Sequence, residues 1–157
     1  MKWANRMIVV YCVLAGGIGQ AAQVVQVSDK FLDALEYVES ARDPNTKAGD
    51  RGASVGILQI QKIYVREACR ISKRQYTYTQ RTNVKASREM SRIVLTHWGR
   101  YFARKGVKIT PAVLCSLHRQ PSSKWTPTRM KSKLERGRTV KLLKYMKEHA
   151  NADANEI

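Results

Sequence analysis

Acidic residues are scarce in this chain of 157: only 12 Asp and Glu stand against 29 Lys and Arg, for a formal net charge of +17. A small domain so charged adheres to polyanions, because counterion release favours the contact whatever the polymer is. No helix-turn-helix, zinc-finger or RNA-binding signature directs that charge to a specific nucleic acid. Metal-ligand residues are few as well. His97, His118 and His149 are scattered without a ligand motif, the three cysteines fit no metal spacing, and no metal or other cofactor is implied. Internal repeats and sustained heptads are absent. The longest apolar run, residues 7–18, is too short to span a bilayer as a helix, which argues against a stable membrane anchor.

What is present begins with a recognisable leader. Lys2 and Arg6 precede that apolar run, and small residues follow it at Gly19, Ala21 and Ala22, the arrangement of a signal peptide over residues 1–22. Export to the periplasm or beyond is therefore expected. Removing Lys2 and Arg6 with no acid lowers the charge from +17 to +15, and for an exported protein the anionic envelope polymers are the natural partners. Cys12 leaves with the leader. Cys69 and Cys115 remain in a compartment where disulfides persist, so one bridge between them and two buried thiols are equally open readings.

Residues 23–150 are long enough for one domain with one core, expected as a monomer, and residues 151–157 read as a frayed tail. Apolar spacing predicts helices over 28–42 (Phe31, Leu32, Leu35, Val38), 55–72 (Ile57, Ile60, Tyr64, Ala68, Ile71) and 84–105 (Met90, Ile93, Val94, Trp98, Tyr101, Phe102). A short helix follows Thr110-Pro111 with Val113, Leu114, Leu117 and His118, and a last one spans 139–150 with Leu142, Leu143 and Met146. Residues 43–52, with Pro44, Asn45, Gly49 and Gly52, form a loop, and residues 122–138 wrap the surface around Trp125. The fold class is all-α.

Glu39 lies four residues after Leu35 and seven after Leu32, beside the core-facing stripe of the first helix. A carboxylate there is partly desolvated, which disfavours its charged form and suits it to donate a proton. Taken alone, a Glu near a helix end is more often a solvated boundary residue. The stretch Glu39-Ser40, followed after the loop by Gly52-Ala53-Ser54-Val55-Gly56-Ile57-Leu58-Gln59-Ile60, resembles the soluble lytic transglycosylases of the lysozyme superfamily. Tyr76-Thr77-Tyr78-Thr79-Gln80-Arg81 is similar to that family's Tyr-Thr-x-x-Asp-Arg turn, with Gln80 in place of the acid, and Leu143-Lys144-Tyr145 to its Leu-Lys-Tyr. The resemblance covers residues 31–147.

The resemblance implies a lysozyme-like helical domain with a cleft that cleaves the MurNAc–GlcNAc β-1,4 bond of peptidoglycan. It makes Glu39 the single acid/base and places Ser40, Gly56, Gln59, His118 and Tyr145 along the sugar. One departure stands out. Where relatives have a His-Asn-Gly-Gly-Pro or Tyr-Asn-Ala-Gly turn, this chain reads His118-Arg119-Gln120-Pro121-Ser122, a long cation in place of a small amide and a permissive backbone. Two rivals remain: a hydrolytic lysozyme, with Asp50 as second carboxylate, and a cationic wall-binding protein whose catalysis has weakened. A nucleic-acid-binding protein rests on charge alone.

Overall fold

The computed structural model describes residues 25–127 and 133–149; the expected leader over residues 1–22 and the expected tail over 151–157 lie outside them. Five helices follow in order: α1 (Asp29–Ser40), α2 (Lys62–Ser72), α3 (Val84–Ala103), α4 (Pro111–Arg119) and α5 (Lys133–Glu148). Two 3-10 turns, Asp50–Gly52 and Tyr78–Thr82, punctuate the links on either side of α2. The only β pairing among the described residues is two isolated bridges, Gly49 with Ser54 and Val55 with Ile60. The all-α class is borne out.

Local chemistry explains the helix starts. The hydroxyl of Ser28 accepts from the Phe31 amide at 3.2 Å, and Asn83 and Thr110 do the same for Ala86 and Val113. Pro111 stands at the first helical position, where its missing N–H costs nothing. Helix α1 presents Phe31, Leu32 and Leu35 to the interior, α3 presents Met90, Val94, Trp98 and Phe102, and α4 presents Val113, Leu114 and Leu117. Helix α1 packs on α5, α2 on α3, and α4 on both α3 and α5. The lead-in is buried through Val25 and Val27, and it crosses α3 so closely that a Cβ on Gly99 would lie 2.6 Å from the Val25 side chain.

Three expectations need correction, and one open question is decided. The second helix starts at Lys62, not at residue 55. Residues 55–60 instead form a tight reverse turn, with Ile60 N donating to Val55 O at 3.1 Å and Gln59 N to Gly56 O at 2.9 Å. Gly56 (φ 76°) and Gln59 (φ 47°) are left-handed, which a right-handed helix does not admit. Ile57 and Ile60 are still buried, so the apolar positions were right and the element was wrong.

The last helix starts at Lys133, six residues before 139, and Leu143 is exposed while Leu142 carries the contact. Trp125 is an anchor rather than part of a surface wrap. It is 2% exposed, donates to the Ser116 hydroxyl at 3.0 Å and packs edge-on to Phe102. Finally, Cys69 and Cys115 are not joined. Cys69 on α2 turns its sulfur to the Tyr76 backbone, whose N–H it accepts at 3.3 Å, while Cys115 is buried within α4.

Candidate active site

Helix α1 carries four acids, Asp29, Asp33, Glu36 and Glu39, and two of them are almost wholly withdrawn from solvent. The Glu36 side chain is 2% exposed and that of Glu39 3%. Their surroundings differ. Glu36 Oε1 accepts from Arg88 Nη1 at 2.9 Å, and the same nitrogen donates to Asp33 at 2.7 Å. Arg88 also reaches Asp29 at 2.9 Å, and Arg42 Nε lies 3.9 Å from Glu36. This is a tight, multiply satisfied buried ion pair that fastens α1 to α3.

Glu39, one turn further along, meets different arginines. Its Oε2 lies 3.5 Å from Nη1 of Arg119, at the end of α4, and its Oε1 lies 3.4 Å from Nη1 of Arg138, on α5. Charge-assisted bonds of this type run at ~2.7–2.9 Å. The two guanidinium groups therefore cover the carboxylate without gripping it. Asp50 lines one small cavity with Arg119, and its Oδ2 accepts from the Ser54 hydroxyl at 2.6 Å and from Gln61 Nε2 at 3.1 Å. Those hydrogen bonds first, and the charges of Arg119 and Arg138 after them, hold Asp50 below the usual carboxylate range. Backbone strain collects here too. Of six non-glycine residues with positive φ among the described residues, five, namely Ala41, Arg42, Asp50, Arg51 and Gln59, lie between Ser40 and Ile60.

The other residues expected along the sugar have their polar groups taken up by the protein. Ser40 is buried and its hydroxyl donates to Glu36 O at 3.0 Å. Gln59 Oε1 accepts from Gly49 N at 2.9 Å, and its Nε2 donates to Gly56 O at 3.0 Å, so the amide ties the 43–52 loop to the reverse turn. Gly56 permits a close approach: a Cβ there would lie 2.1 Å from the Arg81 carbonyl oxygen. Arg81 in turn donates to Ala53 O at 3.1 Å and Ile60 O at 3.3 Å, clamping both sides of the turn. The change to Gln80 keeps the local cap, since its Oε1 accepts from Thr77 N at 2.7 Å.

His118 is 5% exposed and fully used. Nε2 donates to Leu58 O at 2.9 Å, because a carbonyl can only accept, and Nδ1 is left to accept from the Tyr64 hydroxyl at 3.2 Å. Burial drives the histidine pKa down and the Tyr64 pKa up, so both stay neutral. Tyr145 is 8% exposed. Its hydroxyl accepts from Arg42 Nη1 at 3.0 Å, and its ring lies between Tyr37 and His149.

The structure thus brings Glu39, Asp50 and Arg119 together with Arg138, a residue that sequence reasoning missed because it fell outside the expected last helix. The Glu36–Arg88 pair was missed as well. Its signal was legible: Asp29, Asp33 and Glu36 at i, i+4 and i+7 make one acidic stripe in a chain that has only 12 acids. The cavity lined by Asp50, Gln59, Gln61, Tyr64, His118 and Arg119 measures about 60 Å³. That is room for about two waters at ~30 Å³ each, far below the ~300–1,000 Å³ of ligand clefts. Among the described residues no group of His, Cys, Asp or Glu could hold a metal ion, and no helix is long and apolar enough to cross a membrane. No family model, curated protein or solved structure matches the chain.

Proposed function

We propose that the chain is an exported lytic transglycosylase acting on peptidoglycan, with Glu39 as its single acid and base. The observation that carries this reading is the contrast within α1: Glu36 is buried and gripped at 2.9 Å, whereas Glu39 is equally buried but loosely covered at 3.4 and 3.5 Å. A reacting carboxylate must exchange its partners for substrate, and only Glu39 has partners that substrate can displace. The resemblance through Glu39-Ser40 and the 52–60 stretch supports the same residue.

In its protonated form Glu39 gives the proton to the glycosidic oxygen, the bond from muramic C1 to that oxygen breaks, and positive charge spreads over C1 and the ring oxygen. The carboxylate so formed takes the proton of the muramic C6 hydroxyl as O6 bonds to C1. A 1,6-anhydro ring results and no water is consumed. Because the cavity beside Arg119 holds only about 60 Å³, the glycan enters by displacing that side chain and Arg138.

A second reading, hydrolysis, is favoured by one observation: Asp50 lines the same small cavity as Arg119, one of the two arginines that cover Glu39. Hydrolysing glycosidases use two carboxylates flanking the bond. Digestion of purified peptidoglycan followed by mass spectrometry separates the readings. Fragments ending in 1,6-anhydromuramic acid, lighter by one water than reducing muropeptides, are expected. Reducing ends alone would give the reaction to Glu39 with Asp50. Glu39→Gln should lower cleavage by the ~10²–10⁴-fold typical of general acid catalysis while sparing salt-sensitive wall binding. Wall binding without Glu39-dependent cleavage would leave a cationic binding protein.

A further inference from the structure

An open groove of about 540 Å³ lies between the end of α2 and the second half of α3, and shares no lining residue with the cavity beside Arg119. We propose that it binds a linear, phosphodiester-linked wall polyanion of the alditol-phosphate type, holding the protein on anionic wall while the Glu39 site works on glycan. Arg92, Thr96, Arg100 and Arg104 line it at four-residue intervals, one slanting ridge of a helix. No carboxylate lines it. Arg100 and Arg104 are exposed, and Arg92 pairs with Asp29. Ile93 and Ile71 give the groove apolar wall on which a polyol stem can rest.

The spacing and lining choose the ligand class. At a rise of ~1.5 Å per residue the successive positions stand ~6 Å apart along the helix axis. A nucleic acid duplex carries a charge every ~1.7 Å, far denser than this row. A single chain with one phosphate per repeat fits it better than a duplex, and guanidinium groups bind phosphate through two parallel hydrogen bonds. No Phe, Tyr or Trp lines the groove, so single-stranded nucleic acid finds no ring on which to stack its bases.

The test is binding of labelled poly(glycerol phosphate) to the mature protein over a series of salt concentrations, a readout that needs no catalysis and stands whether or not Glu39 cleaves glycan. The double variant Arg100→Glu with Arg104→Glu should bind at least tenfold more weakly, with a shallower salt slope, and should keep its far-ultraviolet circular dichroism. A control with the same charge change at the exposed Lys85 and Lys124, both to Glu, should lose at most a few-fold. Equal losses in the two variants would overturn the proposal, leaving net charge as the cause. Tighter binding of single-stranded DNA with the same number of phosphates would overturn the choice of ligand.

Discussion

Two buried glutamates three residues apart on one helix do different work, and substitution should separate them. Glu36→Gln removes a charged partner from Arg88, whose side chain is 18% exposed and keeps Asp33 and Asp29. A loss of ~1.5–3 kcal/mol is expected from urea unfolding, the worth of a hydrogen bond to a charged group. Glu39→Gln breaks only loose contacts and should cost less stability while lowering cleavage ~10²–10⁴-fold. Arg138→Ala uncovers Glu39 and should raise cleavage of soluble glycan fragments by up to about tenfold, or ~1.4 kcal/mol of barrier; a fall would make Arg138 a substrate contact. His118 sets a pH dependence. Its folded pKa is lowered, burial being the first cause, so the unfolded chain binds the proton more readily. The stability it contributes is fully present above the unfolded value of ~6.5 and is lost as pH falls from there through the folded pKa. Thermal melts between pH 7 and 5 should show that decline, and His118→Gln should flatten it.

The reverse turn at 55–60 is the element on which the loops around the site depend. Gly56→Ala meets both a left-handed φ of 76° and a backbone oxygen at 2.1 Å, so a loss beyond the ~1–3 kcal/mol of backbone strain alone is expected. Leu35→Ala, a fully buried change on α1, should cost ~2–5 kcal/mol and serves as the yardstick in the same unfolding series. These two positions also show what the sequence made legible. The stripe of α1 and its Ser28 cap were readable because helix period and capping are local properties. The turn was not, because Ile57, Ile60 and Tyr64 also satisfy a helical period, and what decides against the helix is the contact of Gly56 with the distant Arg81. The withdrawal of the Glu39 side chain from solvent was legible from its spacing beside the apolar stripe. Its cover was not, since Arg119 and Arg138 arrive from helices 80 and 99 residues further along. Cys69 and Cys115, which are not bridged, carry their own check: thiol titration of the denatured chain lacking residues 1–22 should find two thiols.

Charge is distributed unevenly across the molecule, and that sets its response to salt. All four acids of α1 meet arginines: Asp29, Asp33 and Glu36 those of α3, and Glu39 those of α4 and α5. The helix is an anionic spine enclosed by cationic neighbours, yet a formal excess of +17 remains. That excess repels itself and opposes folding, while the spine's ion pairs favour folding. Raising ionic strength from 0.01 to 0.15 M shortens the screening length from ~30 to ~8 Å. Repulsion between exposed cations far apart is then largely removed, whereas the Arg88 pairs at 2.7–2.9 Å lie well inside either length and partly out of water. The melting temperature should therefore rise with added sodium chloride over this range, as affinity for polyanions falls. Calorimetry at fixed pH and protein concentration checks the first arm. A melting temperature that falls would mean that screening of the ion pairs around α1 outweighs relief of the surface repulsion, and the spine would then be the main electrostatic support of the fold.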